Sequence, residues 1–359
     1  MFLKTIKLFN FRQFEQLQVS FSSGINVITG MNAVGKTSLL ESIGYLGVTK
    51  SFREALDVDL IREGQNEMAV LGTVFAGERE KKLRILKQKQ GKSVFSNDFR
   101  YKKISEYLGE LLVVSYCNTD LMMLVGGATD RRKIFEPIIC QISPFYMEAY
   151  NSYRRVLSER NALLKRLIFE NNNKLLELLK VINERMSDYG KKVIEERKRF
   201  IEKLNVFIEQ IHNKISSAFE TVKIEYLPSI KEEEITESLD KNFDEDLRKG
   251  YTSYGPHKDD YIFIINNKNI IHYGSLGQQK NMLITIKLAF VELIKSVKND
   301  YPILLLDDVL SELDGIRQNN LFKAINSSVQ AIISSATLSE IDPDLLSMAK
   351  VITLEKRSV

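Results

Sequence analysis

A strand, a glycine-framed loop and a helix in direct succession limit what this chain can fold into. The apolar run Ile25-Asn26-Val27-Ile28-Thr29 leads into Gly30-Met31-Asn32-Ala33-Val34-Gly35-Lys36-Thr37-Ser38, and Leu39-Leu40-Glu41-Ser42-Ile43 continues as a helix. This is the G-x-x-x-x-G-K-[ST] phosphate loop in the context it requires. Its two glycines let the backbone curl so that N–H groups point at a phosphate chain, and the helix start adds its positive dipole end. Residues Gly30 to Ser38 then cradle ATP. Lys36 reaches the β- and γ-phosphates, and the Thr37 hydroxyl takes one position on Mg²⁺. A chance glycine turn would not bring both flanking elements with it.

At 359 residues the chain has room for one large domain or two to three ordinary ones. Hydrophobic content of 44% and charge of 27% are those of a soluble globular protein. No apolar run approaches the ~20 residues that span a bilayer, so no membrane partner is expected. Met1-Phe2-Leu3-Lys4-Thr5-Ile6 alternates like a strand and lacks the pattern of a signal peptide. Cys117 and Cys140 are too far apart for a C-x-x-C pair, which fits a reducing cytoplasm. The net charge of +4 is a weak pointer to an anionic partner.

Alternation predicts strands at Leu3–Phe11, Leu17–Phe21, Met68–Phe75 and Lys82–Lys87, with Leu111–Tyr116 as a buried strand. From about residue 143 the period changes. Ser143-Pro144 reads as a helix start, Asn171-Asn172-Asn173 interrupts, and Leu179, Ile182, Met186, Tyr189, Val193, Phe200, Leu204, Phe207 and Ile211 continue at helical spacing. This predicts a helical hairpin packed along one seam, with Arg197-Lys198-Arg199 on a solvated face. Lys231–Asp246 reads as an acidic, turn-prone close. Tyr261–Ile265 and Ile270–Tyr273 read as a hairpin, followed by a helix over Gln278–Lys298. A buried strand at Ile303–Leu306, a helix from Asp314 and a strand at Ala331–Ser334 end the series.

Ile303-Leu304-Leu305-Leu306-Asp307-Asp308 supplies what a phosphate loop lacks: a buried strand with two acids at its end. Asp307 would hold Mg²⁺ through water. Asp308 would polarise the attacking water or take its proton. Lys36, Asp307 and Asp308 are thus the expected catalytic residues, with Thr37 and Asp307 on the metal.

Ser311-Glu312-Leu313-Asp314 matches the D-loop of ATP-binding-cassette ATPases. Gly274-Ser275-Leu276-Gly277-Gln278-Gln279-Lys280 resembles their signature motif, with Ser275, Gly277 and Gln278 as nucleotide contacts. Roughly 270 residues separate Lys36 from Asp307, which implies a long insertion. Heads of structural-maintenance-of-chromosomes proteins share that split, with far longer coiled coils.

Over its whole length the sequence resembles the RecF family of bacterial recombination mediators. The resemblance rests on the phosphate loop, Lys50-Ser51-Phe52-Arg53, Asp130-Arg131-Arg132-Lys133-Ile134-Phe135, Gly255-Pro256-His257-Lys258-Asp259-Asp260 and the signature. It implies an α/β cassette-type ATPase head with an inserted helical lobe, divided as 1–115, 116–300 and 301–359. It also implies slow ATP hydrolysis, an ATP-dependent homodimer, binding to gapped, single- and double-stranded DNA, and cooperation with RecR and RecO in loading RecA. Three departures stand out. Asp308 occupies the place where cassettes usually carry Glu, Ser334 and Ser335 stand where transporters have a switch histidine, and Asn118 is the nearest candidate for a Q-loop residue. His257 and Arg53 are each open between a phosphate contact and a structural role. Lys81, Lys82, Arg84, Lys87, Lys89 and Lys92 form a basic stretch suited to phosphate backbones. A transporter energy subunit, an ATP-holding scaffold without turnover and a hexameric motor are the competing readings.

Overall fold

The computed structural model describes residues 1–170, 172–216, 220–310, 315–325 and 327–355. Strands β1 (Phe2–Phe11), β2 (Phe14–Ser20) and β3 (Ile25–Thr29) precede α1 (Lys36–Val48). Then come β4 (Glu67–Ala76), β5 (Arg79–Gln88), β6 (Gly91–Ser96), β7 (Phe99–Arg100), α2 (Ile104–Tyr107) and β8 (Val113–Tyr116). The middle of the chain holds α3 (Thr119–Val125), α4 (Ala128–Ile142), α5 (Pro144–Leu167), α6 (Asn173–Ile215), β9 (Val222–Leu227), α7 (Ile235–Lys241) and α8 (Phe243–Lys249). It closes with β10 (Asp260–Ile265), β11 (Lys268–Asn269) and α9 (Ile270–Tyr273). Last are α10 (Leu276–Lys298), β12 (Ile303–Asp307), α11 (Gly315–Ala324), β13 (Ala331–Ser334), α12 (Pro343–Met348) and β14 (Lys350–Thr353).

The chain divides into two compact units. The first comprises Met1–Met122, Phe207–Glu220 and Ser275–Val359, the second Met123–Val206 and Thr221–Gly274. These limits differ from the expected 116 and 300. The reason is α10, whose face from Asn281 to Ile294 is almost wholly buried and which packs on β8 within the first unit.

In the first unit, β14, β3, β13, β12 and β8 lie side by side in a parallel sheet. Every residue of β12 is buried, as the unbroken apolar run requires of a strand covered on both faces. A second, antiparallel sheet runs β2-β1-β4-β5-β6-β7. Its register sets Leu8 opposite Val70, Val70 opposite Ile85 and Ile85 opposite Val94, a row that buries one face. Leu39, Leu40, Ile43 and Leu46 of α1 join the same core, so the helix that follows the phosphate loop is anchored by apolar burial. Each such side chain contributes on the order of 1.5–3 kcal/mol.

In the second unit, Ser143 caps α5 by accepting from Tyr146 N at 3.1 Å, with Pro144 in the first turn. Contacts pair Ser143 with Glu196, Tyr146 with Arg197 and Arg160 with Asn183. The residues near the start of α5 meet 196–197 of α6 and Arg160 further along meets Asn183, so the hairpin is antiparallel. Arg197 is not on a solvated face: it is fully buried and donates to Tyr146 Oη, Pro256 O and Asp259 Oδ2. Val193, Arg197 and Phe200 follow at spacings of four and three, so Arg197 occupies a seam position and is held there by its buried partners.

Other expectations shift locally. Ile270–Tyr273 is a helical turn, because the Asn269 side chain accepts from Ile271 N and caps it. The hairpin is instead β10–β11, turning through Asn266 and Asn267, both at positive φ as a type I′ turn needs. The acidic stretch Lys231–Asp246 folds into α7 and the start of α8. The expected D-loop, Ser311 to Asp314, lies outside the described residues, as does Asn171. Among the described residues no helix is long and apolar enough to cross a membrane.

Candidate nucleotide-binding site

The phosphate loop leaves β3 and enters α1 with Gly35 as N-cap, at φ +110°; Gly30 is at φ +148° and Ala33 at φ +64°. Glycine is required twice over. A Cβ on Gly30 would come 2.4 Å from Leu354 O, and one on Gly35 2.0 Å from Gln13 Nε2. Lys36 Nζ donates to Gly30 O at 2.7 Å and Met31 O at 3.1 Å, so its charge lies across the loop. Ser38 Oγ donates to Gln13 Oε1 at 3.0 Å, tying the loop to the β1–β2 turn.

The two halves of the expected site meet. Thr37 Oγ1 donates to Asp307 Oδ1 at 3.0 Å, across 270 residues of sequence. Asp307 pairs with Ser334 across the β12–β13 ladder, and Ser334 Oγ donates to Asp307 Oδ1 at 2.7 Å while accepting from Asp308 N at 2.9 Å. Burial lifts the Asp307 carboxyl above its ordinary value, against the hydrogen bonds from Ser334 and Thr37 and the charge of Arg53. Arg53 therefore stands close enough for Asp307 to feel it. Asp308 adopts φ +55°, which turns the chain sharply after the strand. A hydroxyl and a carboxylate oxygen 3.0 Å apart are hard donors of the kind Mg²⁺ takes alongside phosphate and water oxygens. Thr37 and Asp307 fit that ion, which would draw charge from the phosphates.

Sequence reasoning missed a neighbouring brace. Glu41 of α1 is fully buried and accepts from Arg12 Nε at 2.8 Å, Arg12 Nη2 at 2.7 Å and Ser51 Oγ. It holds the Phe11-Arg12-Gln13-Phe14 turn and the Lys50–Arg53 block against α1. The signal was present as an acid at an otherwise buried helical position.

The signature residues form a capping box. Ser275 Oγ accepts from Gln278 N at 3.2 Å, and Gln278 Oε1 accepts from Ser275 N at 3.0 Å. Gln278 Nε2 donates to Glu220 Oε1 at 2.8 Å, and Glu220 Oε2 meets His212 Nε2 at 2.9 Å. Burial would raise the Glu220 carboxyl, but hydrogen bonds from His212 and Gln278 outweigh it and hold it low. No hydrogen bond among the described residues joins Ser275, Gly277 or Gln278 to the phosphate loop. Asn118 is exposed just beyond β8, the strand beside β12.

In the second unit the two most specific sequence blocks interlock. Arg131 Nε and Nη2 each donate to Asp260 at 2.6 Å, and Arg132 Nη1 donates to Asp259 O at 2.6 Å. His257 Nε2 donates to Thr252 O at 3.0 Å, which leaves Nδ1 to accept from Tyr153 Oη at 2.7 Å. Burial pushes this histidine down to about 4, so it is neutral and structural. The basic stretch is not one face. Lys81 pairs with Glu110, Lys92 with Asp57, and Lys87 donates to Gln88 O, while Arg84 lies over the Phe95 ring; Lys82 and Lys89 are exposed.

A phosphate loop leading from a parallel strand, an acid strand two places away and a capped signature helix define an ATPase head of the cassette and chromosome-maintenance class. The family model described as "RecF/RecN/SMC N terminal domain" matches residues 2–342. A Smc head from Pyrococcus furiosus shares the fold, with TM-score 0.53 and 17% identity over 99% of this chain and 94% of that one. Within that class the likeness is to RecF. The DNA replication and repair protein RecF of Streptococcus agalactiae is 38% identical over 98% of this chain and 96% of its own. That of Clostridium botulinum (strain Okra) is 38% identical over 95% and 94%. A solved structure described as the recombination mediator protein RecF with ATP, in the RecFOR pathway, superimposes with TM-score 0.87 at 31% identity, covering 95% of this chain and 93% of that one. The chain belongs to the RecF family.

Proposed function

We propose that this protein is an ATP-dependent DNA-binding protein of recombinational repair and replication restart. Two copies close around ATP on gapped or single-strand–double-strand DNA, hydrolyse it slowly, and help RecA load together with RecR and RecO. The observation that carries the reading is the Thr37–Asp307–Ser334 arrangement, in which the phosphate-loop hydroxyl and the buried carboxylate at the end of β12 are hydrogen-bonded. Lys36 would neutralise the β- and γ-phosphates. Asp308 would orient the water that attacks. ATP-bound relatives and the repair role in their names support the same reading. In a cassette-type dimer, Ser275 and the backbone near Gly277 of one copy would face the γ-phosphate held by the other, at a helix start suited to anions. The competing reading, a scaffold that binds ATP and DNA without turnover, differs only in what Asp308 does.

Sedimentation on gapped DNA with and without ATP tests it. Lys36→Ala is expected to lose ATP binding and ATP-dependent retention on DNA. Asp308→Asn is expected to bind ATP, stop turnover and accumulate dimers. Equal ATP binding by Lys36→Ala would remove the phosphate-loop assignment, and a monomeric Asp308→Asn would remove the trans site. If the parent shows no turnover above the Asp308→Asn background, the scaffold reading replaces this one.

A further inference from the structure

We propose that His212 and Glu220 are positioning residues that set the geometry of the signature end of α10. The proposal rests on reading Ser275–Gln278 as the end that meets a nucleotide phosphate. Ser275 and Leu276 are exposed. The Ser275 oxygen is occupied by Gln278 N, which leaves its hydrogen for a phosphate oxygen.

The shape of this end depends on Gln278, whose amide oxygen accepts from Ser275 N at 3.0 Å. A glutamine on a helix surface has several torsions and would hold that cap only part of the time. Here the other side of the amide is clamped. Nε2 donates to Glu220 Oε1 at 2.8 Å, and because a carboxylate only accepts, the amide has one permitted orientation.

Glu220 is itself fixed from two sides. Ser216 Oγ donates to Oε2 at 3.3 Å, and His212 Nε2 stands 2.9 Å from the same oxygen. His212 lies in the last turn of α6 and is fully buried. Its Nδ1 is 3.0 Å from Thr285 Oγ1, and the Thr285 hydroxyl donates to Asn281 O at 2.8 Å. Because Glu220 only accepts, His212 Nε2 donates to it, and Nδ1 faces the Thr285 hydroxyl. The relay therefore leaves α10 at Thr285, passes through His212 and Glu220, and returns to Gln278 and Ser275 at the start of the same helix. All of its members belong to the first unit. The rigid interior of α10 fixes its exposed first turn.

The test compares ATP affinity with dimer formation and turnover. His212→Ala and Glu220→Ala are expected to bind a fluorescent ATP analogue within about twofold of the parent, because they leave the phosphate loop intact. They should nevertheless lose the ATP-dependent dimer in sedimentation, with turnover reduced at least about tenfold. Glu220→Gln keeps an oxygen that accepts from Gln278 and should recover most of both; a merely structural defect would not sort in this way. If Glu220→Ala fails to fold, His212→Ala breaks the same relay one bond earlier and gives the decision. A Glu220→Ala, or in that case a His212→Ala, that dimerises and turns over ATP like the parent overturns the proposal. A parent that never dimerises with ATP overturns the signature reading beneath it, before any variant is compared.

Discussion

Asp307 accepts from two hydroxyls, one on α1 and one on β13, and this double grip locks the carboxylate beside Thr37. Ser334 Oγ also accepts from Asp308 N, the residue whose φ of +55° turns the chain sharply. Lys36, Thr37 and Asp307 were legible because each belongs to a contiguous motif. Ser334, Arg12 and Glu41 were not, because each acquires its role only from a partner on another element. Arg197 and His212 carried a weaker signal. Each continues an apolar seam at helical spacing (Val193 to Arg197 to Phe200, and Ile208 to His212), so a polar residue there was due to be buried with partners. His257 yields a prediction at this scale. In the unfolded chain it takes a proton near 6.5 and in the folded chain near about 4. Between those values the unfolded state binds more protons, so the contribution of His257, at most roughly 3 kcal/mol, is full above 6.5 and is lost as pH falls toward 4. Urea unfolding of the parent and of His257→Gln from pH 7.5 to 4.5 checks this. The variant is expected to lose stability less steeply, and identical slopes would refute the assignment.

Elements beside a motif or carrying one sustained period were legible, and those with neither were not. Strands β3, β12 and β13 and helix α1 followed from apolar runs beside motifs. Helix α4 hid behind Arg131-Arg132-Lys133 and an internal proline, although Ile134, Phe135, Ile138 and Ile139 make its buried stripe. Strand β6 is six residues long between polar flanks, and β9 sits just after the hairpin, where the period gives no notice. Ile270-Ile271-His272-Tyr273 has a strand-like composition, but the Asn269 cap makes it the turn α9. The junction of β1–β2 with α1 gives the element-scale prediction. Gly35→Ala puts a methyl into Gln13 and Phe14 at a backbone angle that disfavours it. Fluorescent ATP titration should find binding lost, while circular dichroism stays near the parent. Gly24→Ala, which meets nothing within 4 Å, should leave binding unchanged. Equal affinities for the two would refute the account of the loop.

The first unit is assembled from three stretches of chain, which is why sequence boundaries at 116 and 300 placed α10 with the wrong neighbours. Sequence period reports each helix's own apolar face, not the sheet it will cover. On the proposed function, the DNA term is also a whole-molecule property. The sequence shows no alternation of aromatic and basic residues of the kind that reads bases, so contacts with phosphates should dominate and base reading should be slight. Binding titrations from 50 to 200 mM salt, values on the order of those used for such measurements, should give a steep loss of affinity that is the same on unrelated sequences. A flat response would exclude it.

Strand β3 pairs with β13 on one side and β14 on the other, and both of those neighbours come from residues 331–353. A ribosome makes β3 and the phosphate loop about 300 residues ahead of β13 and β14. At about 10 residues per second, roughly half a minute passes before either flanking strand exists. Through that interval the nascent chain carries an apolar strand with two open edges and a loop whose Gly30 has no Leu354 behind it. Nucleotide recognition is thus a property the chain acquires only after β13 and β14 have been made, and the exposed early strand is where a holding chaperone has most to protect.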